Sequence, residues 1–325
     1  MSKPCSGCRV VLAIASLSFA AAAFSAYPER PVKIVLPYPP GGGGDLVLRN
    51  LQQALEKQLG QPVIIDYKAG AAGNIGTLDV VNAAPDGYTL LMGPTNNFVI
   101  NQFLFPKMGF DPLAALTPVS LLVEQPYLVT ITGALPARDY AGFADYAKAH
   151  PGKLNYGSPG AGTVPHVSAL MLSDQLGARM VHVPYKGSQP GVQALVANDV
   201  QLLIASYGIV AGQIAAGRIR AVAVAADQRL PALPQVPTTA EVGLPPGVIL
   251  ANWWGIAAPR GTDPAIVERL AGAFRAAVGD PDVQRKFVEQ GTLPVANSPA
   301  QFADRMRNEA RAWKDIIART GVTIE

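Results

Sequence analysis

Three glycine-rich segments punctuate this chain: Gly41-Gly42-Gly43-Gly44, Gly70-Ala71-Ala72-Gly73 and Gly157-Ser158-Pro159-Gly160-Ala161-Gly162. Each sits between an apolar run of strand length and a stretch with helical spacing. Strand, tight turn, helix is the grammar of a parallel sheet with crossover helices. Val32 to Leu36 is short and apolar, as a buried strand must be, and Leu46, Leu48, Leu51, Leu55 and Leu59 follow on a helix. Pro62 to Asp66 makes a second strand. The second glycine turn opens a helix through Ile75, Leu78, Val81 and Ala84, and Pro85-Asp86-Gly87 turns the chain into the strand Tyr88 to Met92. The product is a βαβαβ unit.

The stretch Val119 to Thr132 is too long for one ordinary strand and contains Pro126, so it is read as a crossing from one lobe to another. Beyond it the grammar restarts. A helix spans Asp139 to Ala149, strand Leu154 to Gly157 leads through the third glycine turn into a helix from Thr163 to Leu176, and strand Val181 to Val183 precedes a helix from Gly191 to Ala197. Strands Leu202 to Ala205 and Ile219 to Ala225 follow. After a proline-rich connector, Leu230 to Pro246, the extended run Val248 to Ala258 is read as the return crossing. Helices Pro264 to Val278, Pro281 to Gln290 and Pro299 to Thr320 end the chain, each with proline in the favoured first turn. The expected fold is α/β, two lobes joined by two extended crossings, with residues 27–124 and 253–325 in lobe 1 and 125–252 in lobe 2. No repeat argues for a solenoid or propeller.

Residues 1–26 differ in kind from the rest. Lys3 and Arg9 precede an apolar stretch from Val10 to Phe24, shorter than the roughly 20 residues of a membrane span. This is the form of a signal peptide, with cleavage expected after Ser25 or after Ala23. Both cysteines, Cys5 and Cys8, lie in front of the apolar stretch and leave with it. A mature chain without cysteine has no disulfide, no thiolate metal site and no thiol nucleophile. Its net charge falls from +3 to +1, with no long basic run. Nucleic acid is therefore excluded as a partner.

Glycine lets backbone N–H groups approach a ligand, and a helix beginning there adds positive potential. One such turn is equally well a plain connection. Three in one chain, divided between two lobes, favour anion binding. A helix start contributes about 0.3–1 kcal/mol and each hydrogen bond to a charged group about 1.5–3 kcal/mol. Two starts and a few such bonds reach the roughly 8 kcal/mol of micromolar affinity after ordering costs. A carboxylate fits that scale. Asp45 at the first turn either caps its helix or accepts from a ligand group or a bridging water.

Enzyme alternatives are weaker. The first turn fails the dinucleotide pattern G-x-G-x-x-G, because Leu46 stands where the third glycine belongs. Tyr156-Gly157-Ser158-Pro159-Gly160 resembles the nucleophile elbow of an α/β hydrolase, with Tyr156 in place of the first glycine, and no acid is placed to complete a set with Ser158 and His166. His150 and His182 read as structural or exposed, whereas His166, on the first turn of its helix, reads as a donor to the cleft. Lys186, in Tyr185-Lys186-Gly187-Ser188, is equally well solvated or turned to the cleft. Trp253 and Trp254 read as core or hinge packing. Three histidines without matching spacing give no metal site, and no cofactor is implied.

Several motifs together resemble one family. They are Ile34-Val35-Leu36-Pro37-Tyr38-Pro39-Pro40-Gly41-Gly42 with Asp45 and Arg49, Gly70-Ala71-Ala72-Gly73-Asn74-Ile75-Gly76, Pro85-Asp86-Gly87-Tyr88-Thr89-Leu90, Pro151-Gly152-Lys153-Leu154-Asn155-Tyr156-Gly157-Ser158, Val183-Pro184-Tyr185-Lys186-Gly187 and Pro237-Thr238-Thr239-Ala240-Glu241. From Tyr27 to the C-terminus the chain resembles the Bug receptors of tripartite tricarboxylate transporters. The resemblance implies a type II periplasmic binding protein, a monomer that delivers a small carboxylate to a membrane permease and catalyses nothing. Carried over position by position, Tyr38, Gly41, Gly42, Asp45, Gly70, Ala71, Ala72, Ser158, Thr163 and His166 line its cleft. One departure concerns the second lobe: these receptors read Gly-Gly-Gln-Val-Asp followed by an acid or small polar residue, and here stand Ala197-Asn198-Asp199-Val200-Gln201 and Ala205-Ser206. Amino acids, dicarboxylates, tricarboxylates and aromatic or nicotinate-like acids all stay open as ligands. A receptor serving a signalling partner instead of a permease also stays open.

Overall fold

A computed structural model describes residues 27–249 and 252–320. The expected signal peptide lies outside the described residues. The strands are β1 (Val32–Leu36), β2 (Val63–Tyr67), β3 (Thr89–Pro94), β4 (Leu116–Glu124), β5 (Tyr127–Thr132), β6 (Asn155–Ser158), β7 (Val181–Pro184), β8 (Leu202–Ser206), β9 (Ile219–Val224), β10 (Trp253–Pro259) and β11 (Leu293–Pro294). They form two mixed sheets, one in the order β11-β4-β10-β3-β1-β2 and the other β7-β6-β8-β5-β9. In the first, β1 runs parallel to β2 and β3, while β10 runs antiparallel to β3 and β4. In the second, β6 runs parallel to β7 and β8, while β5 is antiparallel to β8 and β9.

Burial explains why the first glycine turn leads where it does. Ile34, Val35 and Leu36 of β1 are fully buried, and the helix Gly43–Leu59 lays Val47, Leu48, Leu51, Leu55 and Leu59 into the same core. Each of these buried leucines contributes about 1.5–3 kcal/mol. The helix stops at Gly60, which takes the left-handed conformation at φ 70° and donates its N–H to Glu56 O.

The run read as a single crossing is two strands. β4 ends at Glu124 in one sheet and β5 begins at Tyr127 in the other, because Pro126 has no N–H to carry a ladder through. Gln125 N donates to Asn252 O at 2.8 Å, so the outward and return crossings lie side by side. A helix at Tyr207–Ala215, absent from the sequence reading, follows β8 directly. Among the described residues no helix is long and apolar enough to cross a membrane.

Candidate functional site

A cavity of about 680 Å³, its open mouth included, is lined by residues of both sheets and their helices. Four helices begin on it. Gly42, Gly43, Gly44 and Asp45 belong to the start of Gly43–Leu59; Thr163, Val164 and Pro165 to Val164–Leu176; Gly187 and Ser188 to Ser188–Ala197; Ser206 and Ile209 to Tyr207–Ala215. The first N–H groups of any helix lack an acceptor within it. None of the four residues preceding these helices, Gly42, Thr163, Gly187 and Ser206, covers them with a side-chain hydrogen bond. Thr163 Oγ1 instead donates to Gly160 O at 2.8 Å. No Lys, Arg or His stands among the described lining residues. Positive potential here comes from backbone alone.

Asp45 is buried at the cavity wall and its oxygens are already engaged. Oδ2 accepts from Gly41 N at 2.8 Å, and Oδ1 accepts from Arg49 Nε at 2.9 Å and Tyr67 OH at 2.6 Å. It does not cap its helix; it fastens the Gly41 turn. From the other side of the cavity Gln189 Nε2 donates to Gly41 O at 3.2 Å, and a Cβ built on Gly187 would sit 3.3 Å from Pro39. The two halves are in contact across the mouth.

Of the residues expected in the site, Tyr38, Gly42, Asp45 and Thr163 line the cavity, and Gly41 borders it through these bonds. Gly70, Ala71 and Ala72 do not line it. Their turn is gripped from behind: Ala72 O receives the Nδ2 groups of Asn96, Asn97 and Asn101 at 3.0, 3.2 and 3.1 Å, and Tyr38 OH lies 3.0 Å away. Tyr38 and Asn96 carry that network to the cavity wall. Burial raises the pKa of the Tyr38 hydroxyl, so it stays protonated.

Ser158 and His166 also stand behind the wall, under the third glycine turn. His166 Nδ1 accepts from Gly162 N at 3.0 Å, an acceptor holding the loop where a donor to the cleft was expected. The neighbour of Ser158 is His182, with Oγ 2.7 Å from Nε2. His166, His182 and Tyr156 stack, the two imidazoles 3.9 Å apart between centroids. Burial pushes both imidazoles down to about 4, His182 further opposed by its neighbour's charge, so both are neutral near pH 7.

Sequence reasoning missed Ser188, Ser206, Gln125 and Tyr127 as lining residues, and placed Trp254 only in packing. Trp254 does pack, since a Cβ on Gly44 would come within 2.3 Å of its ring, and its Nε1 donates to Gln125 Oε1 at 3.0 Å. Lys186 is not among the lining residues. No group of metal-ligating side chains occurs among the described residues.

The family model described as the tripartite tricarboxylate transporter family receptor matches residues 47–322. The chain belongs to this receptor family. Protein BugT of Bordetella pertussis is 32% identical over 300 residues, covering 92% of each chain. The solved periplasmic binding protein BugD superposes with a TM-score of 0.87 at 31% identity, over 92% of this chain and all of its own. MatC from Rhodopseudomonas palustris, solved with bound malate, superposes with a TM-score of 0.84 at 35% identity, over 90% of this chain and 100% of its own. The family is one of binding receptors, not of enzymes, and the Ser158–His182 contact is structural support for a loop.

Proposed function

We propose that this receptor captures one small carboxylate in the cavity between its sheets and hands it to a membrane permease of the tripartite tricarboxylate type, working in the periplasm after removal of its signal peptide. The observation that carries the reading is the convergence of four uncapped helix starts on a cavity without a basic side chain. Such a site suits a compact anion that accepts several N–H bonds at once. The malate bound by MatC is of that class.

In this reading lobe 1, 27–124 with 253–325, and lobe 2, 125–252, close on the ligand by contacts made only in the closed state, such as Gln189 to Gly41. Gly42, Tyr38 and Thr163 meet the ligand or its bridging waters, and Asp45 fixes the turn that presents the Gly43 and Gly44 amides. Gly41, Gly70, Ala71, Ala72, Ser158 and His166 hold those surfaces in place.

Isothermal titration with a panel of small acids tests the proposal. One acid per chain is expected to bind, and Asp45→Ala, which frees the Gly41 turn, to weaken it about tenfold. No heat from any acid, with no solute retained in native mass spectra, would sink it.

A further inference from the structure

We infer that His166 and His182 are positioning residues that clamp the third glycine turn only while uncharged, so that the receptor grips its guest at neutral pH and loosens in acid. This rests on the receptor reading above and adds a regulation to it.

The turn 157–162 leads into Thr163, Val164 and Pro165 on the cavity wall, yet side chains fasten it from behind at both ends. At its near end Ser158 Oγ accepts from Gly160 N at 3.2 Å and lies 2.7 Å from His182 Nε2. At its far end Gly162 N donates to His166 Nδ1 at 3.0 Å. His166 is the third residue of the helix Val164–Leu176, and its side chain reaches back to backbone ahead of the helix, as in a capping box. The usual Glu or Gln is replaced by an imidazole. Nδ1 can accept from Gly162 only through the lone pair that a proton would occupy. A charged His166 must therefore let Gly162 go.

The two imidazoles stack 3.9 Å apart, so a proton on one opposes a proton on the other. Of the strands near them, β6 contributes Tyr156 and Ser158, β7 contributes His182, and β8 has no titratable side chain. The helix Ser188–Ala197, packed on β6, has none either. Asp174, on the helix of His166, acts on Tyr156. The adjoining helix Tyr140–Ala149 stacks its Tyr146 on His150 and carries Asp145 and Lys148 exposed. Burial holds His166 at about 4, whereas an imidazole in a released turn returns toward about 6.5. The fastened turn is intact above about pH 6.5 and is disfavoured as pH falls from there toward 4, by up to about tenfold per unit for each imidazole.

The test compares the parent with His166→Asn, whose Oδ1 stands on Cγ as Nδ1 does and accepts from Gly162 N without titrating. Calorimetry with malate, adipate and the other small acids is run at pH 7.5 and 5.0. Both receptors meet the same protonation of the acid, so the ratio of their affinities isolates the clamp. They are expected to agree within about threefold at pH 7.5, and the parent to fall about tenfold relative to the variant at pH 5.0. Without any acid present, the melting temperature of the parent should drop at least ~2 °C further than that of the variant over the same step. In NMR spectra of the parent, the Gly162 amide should shift in step with the His166 imidazole. This reading decides the matter if His166→Asn fails to fold. An affinity ratio that stays constant between the two pH values, or an imidazole that titrates near 6.5 with the Gly162 amide unmoved, overturns the inference and leaves the receptor reading standing. Silence from every acid at pH 7.5 overturns both.

Discussion

Five helices that start away from the cavity are finished differently from the four that start on it, although Asn74–Val81 and Asn101–Leu104 also start away from it without a side-chain cap. Asp111, Asp139, Asp263 and Asp280 each precede a helix and accept from its first amides, and Ser298 exchanges bonds with Gln301 at the start of the last one. Around the cavity, Gly42, Thr163, Gly187 and Ser206 make no side-chain hydrogen bond to the helices they precede. An aspartate cap is an internal anion in an anion site. At the four aspartate-capped starts the protein supplies that anion itself; in the proposed receptor reading, the four starts on the cavity leave the place for a guest.

The contrast breaks most visibly at Gly44. Its replacement by alanine puts a methyl 2.3 Å from the Trp254 ring, which its bond to Gln125 holds in place. About 3 kcal/mol of stability is expected to be lost with the displaced helix start. Denaturant titration reads the first effect and calorimetry the accompanying loss of ligand binding; a variant as stable and as tight as the parent would show that the Gly44 backbone does not set the wall.

Thr163→Asp sharpens the contrast by converting a bare start into a capped one. Affinity is expected to fall between about tenfold and a hundredfold, while the helix Val164–Leu176 gains up to ~1 kcal/mol. Unchanged affinity with raised stability would mean that this start does not face the guest.

The smallest effect is expected at an outer start. Asp280→Ala removes bonds to Asp282 N and Val283 N and should cost about 1 kcal/mol in thermal or chemical melts, with ligand affinity untouched. A change in affinity there would dissolve the distinction.

Much of this architecture is legible locally. The leucine spacing after Gly44 and the proline starts at 264, 281 and 299 mark helices because one face is apolar and the first turn tolerates a residue without N–H. The helix Tyr207–Ala215 escapes that logic. Tyr-Gly-Ile-Val-Ala-Gly-Gln-Ile-Ala has two glycines and almost no polar face, so no apolar stripe marks it, and the sequence reading leaves the stretch between Ala205 and Ile219 without an element. The Gly70 turn misleads for the opposite reason. It follows β2, the edge strand of its sheet, and Asn96, Asn97 and Asn101 seize its carbonyl from beyond β3. Likewise Ser158 meets His182 because β6 and β7 are parallel neighbours, a pairing that no local pattern contains.

Gln125 and Trp254, joined to each other, flank the paired crossings and also form part of the cavity wall. If the proposed receptor reading holds, a guest would lean on the axle of the molecule as well as on its jaws. A poorly shaped solute would then jam the pivot and leave the jaws ajar, and a permease that docked only with shut jaws would reject it without ever sampling the solute itself.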